Sequence, residues 1–272
     1  MRSLTCSANT LRHASPRSRI GAAEAAGFGG IGLRLDDCRS AGAGLRDLLD
    51  EHGMRVMELE HIWDWAAPVP LPIEEELFAV ADTIGYRQLN VPMLFDHPVG
   101  DLIAGFGGLC DRAGRRGILV GLEFMPYSAV PTLGRAWDIV AGAERENGGV
   151  LIDLWHWDRS GAEPPDLGKI DPDRITSVQL CDVLAEPMRD LRHEARHHRR
   201  LPGDGAGDPA GVLSALRRHG LACPVSVEVF SDDLDALSPE EAARRAARAG
   251  ASCLDAAGWA LRPWRTNLEE AP

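Results

Sequence analysis

The sequence has no C-x-x-C pair, no apolar run of membrane length and no surplus of basic charge, and each absence excludes something. Its six cysteines, Cys6, Cys38, Cys110, Cys181, Cys223 and Cys253, are scattered. That spacing argues against a zinc ribbon or a disulfide framework and fits small apolar residues in a reducing cytoplasm. No stretch approaches the roughly 20 apolar residues of a membrane span, and the first residues lack the apolar core of a secretory signal. A cytoplasmic protein without a membrane partner is therefore expected. The formal net charge of -12 excludes a general nucleic-acid binder, which needs a basic face. Internal repeats, low-complexity tracts and a domain linker are missing too. So is a G-x-G-x-x-G after the first strand: Gly27-Phe28-Gly29-Gly30 precedes a strand instead of opening a helix.

What is present is alternation. In 272 residues of 44% hydrophobic content, short apolar runs alternate with helical patterns. Strands are expected at 3–7, 30–34, 55–60, 88–91, 118–123, 149–153, 175–180 and 224–229. Helices are expected at 17–26, 45–52, 74–84, 102–116, 133–146, 209–219 and 239–249, with Ser238-Pro239-Glu240-Glu241 a strong start signal. Loops are expected at 158–174, with one helical turn, and at 182–208. Strands that alternate with helices pair in parallel through crossovers. Eight such units in this length give an α/β fold, a (β/α)8 TIM barrel forming a single domain over residues 1–272; a doubly wound open sheet is the alternative. The tail from Trp259 reads as an extra segment packed outside the barrel.

Parallel barrel strands send all their C-terminal ends to one face. Four expected strands end in an oxygen-bearing side chain: Glu123, Asp153, Gln179 and Glu228, on consecutive staves. Three carboxylates converging there repel one another unless a cation neutralises them. An all-oxygen set favours Mn²⁺ or Mg²⁺, with Co²⁺ tolerated, over tetrahedral Zn²⁺.

The order E-D-Q-E on these strands, the D-x-x-H of Asp153 to His156 and the R-x-x-P-G of Arg199 to Gly203 resemble the xylose isomerase-like TIM barrels, the sugar phosphate isomerase/epimerase superfamily. Gly27 to Leu33 and Glu228 to Asp232 add to the likeness. The resemblance implies that Glu123 and Glu228 bind metal and also move protons on opposite faces of the substrate, and that His156 and Arg199 hold substrate oxygens. It implies an isomerase or epimerase of a small polyhydroxylated carbonyl compound, acting through an enediolate. Gln179 departs from many of the epimerases, which carry histidine there, and looks more like dehydratases acting on 3-dehydroshikimate. A lyase of a 3-dehydroshikimate- or inosose-like ring is thus the enzymatic alternative, and a barrel that only binds a ligand is the alternative of another class.

Further residues are candidates for the pocket. Arg34, Arg159 and Arg199 follow strands and can meet a carboxylate or phosphate. Glu60 lies near the end of the third strand, and Trp63, Trp65, Trp155 and Trp157 lie where an apolar wall or a cap of the barrel mouth is built. Of these, Glu60, Arg34 and Trp65 join His156 and Arg199 as expected substrate contacts. Pro202-Gly203-Asp204-Gly205 can either present backbone N–H groups or serve as a turn. His193-Glu194-Ala195-Arg196-His197 matches H-E-x-x-H, but its arginine-rich flanks suit a basic, mobile lid better than a zinc-protease helix. The composition leaves room for a homo-oligomer.

Overall fold

In the computed structural model, which describes residues 4–221 and 223–259, eight parallel strands close into a barrel in sequence order. The strands are β1 (Leu4–Cys6), β2 (Gly30–Arg34), β3 (Arg55–Glu60), β4 (Gln88–Val91), β5 (Leu119–Glu123), β6 (Gly148–Asp153), β7 (Ile175–Leu180) and β8 (Val225–Val227). β1 pairs with both β2 and β8, which removes every sheet edge. The open-sheet alternative is thereby excluded.

Alternation along each strand divides two environments. Leu89 and Val91, Val178 and Leu180, and Val225 and Val227 are buried in the apolar layer. Between them stand Gln88 and Asn90, Ser177 and Gln179, and Ser226, also buried. The apolar set packs against the helices, and the polar set fills the barrel. Inside, Gln88 Nε2 donates to Asn90 Oδ1 and to Ser177 Oγ, each at 2.8 Å.

The helices are α1 (Pro16–Ala25), α2 (Leu35–Ala41), α3 (Leu45–Glu51), α4 (Pro72–Thr83), α5 (Val99–Gly114), α6 (Leu133–Ala143), α7 (Leu154–Arg159), α8 (Leu191–His197), α9 (Pro209–Arg218), α10 (Asp232–Asp235) and α11 (Pro239–Ala256). Their starts follow local chemistry. Ser15, Asp208 and Ser238 cap α1, α9 and α11 through their side chains, and each is followed by proline at the first helical position.

Four short helices lie where loops or no element were expected: α2, α7, α8 and α10. α11 also runs seven residues beyond its expected end at Ala249. Gly250 follows that expected end, and a Cβ there would lie 2.6 Å from Val227 Cγ2. The glycine lets the helix lie close against β8, and the chain stays helical through it. Beyond Trp259 itself, the expected tail segment falls outside the described residues, as does Ser3.

All six cysteines are free. Cys6, Cys110, Cys181 and Cys253 are buried, and burial pushes the Cys110 thiol up to about 12. No helix among the described residues is long and apolar enough to cross a membrane.

Candidate active site

The strand order brings the four expected residues to one mouth. Asp153 ends β6 and is the register partner of Gln179 on β7, which in turn pairs with Ser226 on β8. Glu228 follows β8, with its N–H donating to Leu180 O at 3.0 Å. Glu123 ends β5 beside β6. Asp153, Gln179 and Glu228 are at most 2% exposed, while Glu123 keeps 13% of its side chain open.

Asp153 has two tasks. Its Oδ1 accepts from the N–H groups of Trp155 (2.7 Å) and His156 (3.1 Å), which caps α7. Its Oδ2 accepts from Arg199 Nη1 at 2.5 Å. The cap also explains the D-x-x-H spacing, because it sets His156 one turn into α7. There His156 Nε2 stands 3.4 Å from Glu123 Oε1. Glu123, Asp153 and His156 offer ligand atoms within 4.8 Å of one another, the one such group of three among the described residues. His156, expected to meet substrate, thus reaches the same point as Glu123 and Asp153.

Glu228 is held from several directions. Its Oε1 accepts from Ser7 Oγ (2.8 Å), Asn9 Nδ2 (3.1 Å) and Gln179 Nε2 (3.1 Å). Its Oε2 lies 3.3 Å from Arg199 Nη1. Burial, followed by the negative charge of Glu60, pushes the Glu228 carboxyl well above the usual carboxylate range, against the pull of Arg199. Asp153 goes the other way. Burial raises it too, but Arg199 and His156 outweigh that and hold it below its ordinary value. One guanidinium, that of Arg199, contacts both Asp153 and Glu228, while Glu123 lies beside His156.

The chemistry of the donor set suits a cation. Gln179 gives its amide N–H to Glu228, and its Oε1 is buried with no hydrogen-bond partner. A carbonyl oxygen in that state suits a metal ligand, since an orphaned buried acceptor is costly. His156 Nδ1 is likewise buried and unpartnered.

Several expected contacts are spent elsewhere. Trp65 has partners of its own. It is buried, packs edge-on against Phe106 of α5 at 5.7 Å, and gives its Nε1–H to Pro92 O at 2.9 Å. It serves the core instead of a pocket wall, because its one polar atom finds a partner there. Arg34 lies at the end of β2 with its guanidinium turned to Asp37 at 3.4 Å, where the buried Arg19 also binds at 2.6 Å. Glu60 is near the site: its Oε2 accepts from Asn9 Nδ2 at 2.7 Å, so Asn9 links Glu60 to Glu228.

The long polar segment after β7 is tied to the barrel through Glu194 and Asp182. Glu194, the acid of H-E-x-x-H, is fully buried. It accepts from Trp155 Nε1 (3.2 Å), Arg159 Nε (2.8 Å) and the N–H of Met188 (2.6 Å). Asp182 accepts from the N–H groups of Val183, Gly203, Gly205 and Gly207 at 2.8–3.2 Å. The glycine turn therefore presents its N–H groups inward to Asp182 and has none of these three to offer a phosphate. A Cβ on Gly205 would lie 2.4 Å from Val183 O, so only glycine fits this approach.

Ser7, Asn9 and Asp182 were not singled out from the sequence as site residues. For Ser7 and Asn9 a signal existed: Thr5, Ser7 and Asn9 are polar at alternate positions through and past β1, the period of an inward face.

Comparison with known proteins agrees with this architecture. The 3-dehydroshikimate dehydratase of Pseudomonas aeruginosa is 34% identical over 125 residues, 46% of this chain but 20% of that protein. The inosose isomerase of Halalkalibacterium halodurans is 36% identical over 132 residues, 48% of this chain and 46% of that one. The chain thus matches about a fifth to a half of the length of these relatives. Among solved structures, a fusion of a xylose isomerase-like barrel with a 4-hydroxyphenylpyruvate dioxygenase superposes with a TM-score of 0.86 at 23% identity, over 94% of this chain and 43% of the other. The IOLI protein with a bound zinc atom gives 0.81 at 22%, over 95% and 98%. A D-allulose 3-epimerase from Methylomonas sp. gives 0.71 at 18%, over 92% and 97%. A family pattern described as xylose isomerase-like TIM barrel matches residues 20–255, and the chain belongs to that family.

Proposed function

We propose that the protein is a divalent-metal-dependent isomerase or epimerase of a small polyhydroxylated carbonyl compound: a sugar, a sugar phosphate or a cyclitol. One observation carries the reading, the buried and unpartnered Gln179 Oε1 set among Glu123, Asp153 and Glu228. These four residues hold the ion, with Mn²⁺ or Mg²⁺ favoured and Co²⁺ accepted, because oxygen donors suit hard cations. When bound, the ion draws charge from the substrate's carbonyl and hydroxyl oxygens and makes the neighbouring C–H more acidic.

The chain's own side chains do the rest. Glu228, held in place by Ser7, Asn9 and Gln179, exchanges a proton with one face of the substrate. Glu123 stands three staves away on β5 and serves the opposite face of a substrate lying between them. His156 and Arg199 orient substrate oxygens, and Ser7, Asn9 and Glu60 fix Glu228. Arg34 and Trp65 have no part in this scheme.

A second reading, dehydration of a 3-dehydroshikimate- or inosose-like ring, uses the same proton abstraction followed by loss of a β-hydroxyl. Gln179 in place of histidine and the partial match to a dehydratase favour it. The test is elemental analysis followed by turnover in D₂O with ketoses, inososes and 3-dehydroshikimate. About one equivalent of metal, weakened in Gln179→Ala, with deuterium entering an unchanged carbon skeleton, supports the isomerase. Loss of water supports the lyase. No metal after reconstitution leaves a ligand-binding barrel as the better reading.

A further inference from the structure

The H-E-x-x-H stretch is not a protease site, since its glutamate is buried under Trp155 and Arg159. Its histidines remain to be explained. His193 lies on α8 and His198 just past it, and their Nε2 atoms face each other at 3.3 Å. Two neutral imidazoles hold that contact only if one brings a proton and the other a lone pair. A shared cation satisfies both lone pairs instead. Two Zn–N bonds of about 2.0–2.1 Å meeting at a tetrahedral angle put their nitrogens about 3.3–3.4 Å apart, the separation found here.

The ring of His193 is braced. His197 stacks on it at 4.6 Å and 27°, and His197 Nδ1 is itself fixed by Asp232 Oδ1 at 3.0 Å. The helix below is clamped through Glu194. His193 is exposed and His198 half-buried, so an ion has access from solvent.

We propose that His193 and His198 form a second metal site, a two-imidazole chelate for Zn²⁺, Ni²⁺ or Cu²⁺ completed by water. It is separate from the carboxylate-rich site in the barrel mouth. Imidazole prefers these ions to Mg²⁺ or Mn²⁺, so the two sites select different metals. The site adjoins Arg199 by one peptide bond, which gives an ion bound there a direct route to the side chain that bridges Asp153 and Glu228.

The experiment is calorimetric titration of Ni²⁺, then Zn²⁺, into the full chain saturated with Mn²⁺. One added equivalent is expected in the parent protein. His193→Ala and His198→Ala each lose one arm of the chelate and should weaken it on the order of tenfold or more, whereas His197→Ala should stay within about twofold. His193→Gln and His198→Gln repeat the test with polar replacements, and thermal melts confirm that each variant is folded. Asp153→Asn should leave the Ni²⁺ equivalent intact, which separates this site from the barrel mouth. Equal Ni²⁺ affinity in the parent and both His193 and His198 variants overturns the proposal. So does the absence of any equivalent beyond the Mn²⁺ site.

Discussion

The guanidinium of Arg199 bridges two buried carboxylates, with Nη1 2.5 Å from Asp153 Oδ2 and 3.3 Å from Glu228 Oε2. Its Nε donates to Ala195 O at 2.8 Å, which fixes the side chain to the end of α8. Among the described residues, the arginine that contacts these two acids comes from the segment after β7, and the barrel wall itself supplies the carboxylates.

Removing that charge leaves Asp153 and Glu228 buried with hydrogen bonds but without an opposite charge in contact. Arg199→Ala should therefore destabilise the metal-free protein by about 3–5 kcal/mol. Added Mn²⁺ should restore part of the loss, because the ion replaces the missing charge. Thermal melts with and without Mn²⁺ check this. A parent-like melt in the metal-free variant would show that the bridge contributes nothing.

The two proposed proton carriers are also proposed metal ligands, so turnover and bound metal are read together. Glu228→Gln and Glu123→Gln should each lower turnover by about 10²–10⁴-fold. Deuterium exchange from D₂O should vanish in whichever variant has lost the abstracting base. Measuring exchange and bound metal on the same samples distinguishes a lost base from a lost ion.

Asp182 receives four backbone N–H groups. Asp182→Ala orphans them and should cost about 2–3 kcal/mol in urea unfolding. Asp182 also pairs by backbone with Arg200, next to Arg199. If it acts through Arg199, Asp182→Asn should reduce kcat/KM in the parent but add little in an Arg199→Lys background. Fully additive losses would count against that coupling.

Glu58 lies inside the barrel below Glu60, and burial raises its carboxyl from 4.5 to about 7. The folded state therefore binds a proton that the unfolded chain has already lost. The resulting stability is complete below about pH 4.5 and is lost as pH rises through about 7, a change of about 3 kcal/mol. Glu58→Gln should flatten this part of the stability–pH curve measured by denaturant unfolding. An unchanged slope would place Glu58 in a more solvated setting.

Much of the barrel was legible along the chain. Short apolar runs between turn residues fall on all eight strands, and the S-P and D-P pairs mark the starts of α1, α9 and α11. The same logic placed Glu123, Asp153, Gln179 and Glu228 on one face, because parallel strands leave only one end for a polar terminus. Short helices were harder to read. α7 is held by a single side chain, Asp153, that was read for its chemistry and also serves as a cap.

The sequence by itself determined the strand order, the apolar and polar layers and the acid-rich mouth, since these follow from local periodicity and from the geometry of parallel pairing. Tertiary structure decided which partner each polar group takes. Trp65 went to Phe106, Arg34 to Asp37, and the glycine turn to Asp182, while Arg199 reached across to Asp153 and Glu228. Those choices depend on distances between residues far apart in the chain. A buried donor or acceptor must find a partner within about 3 Å, and only the closed barrel fixes which one is within reach.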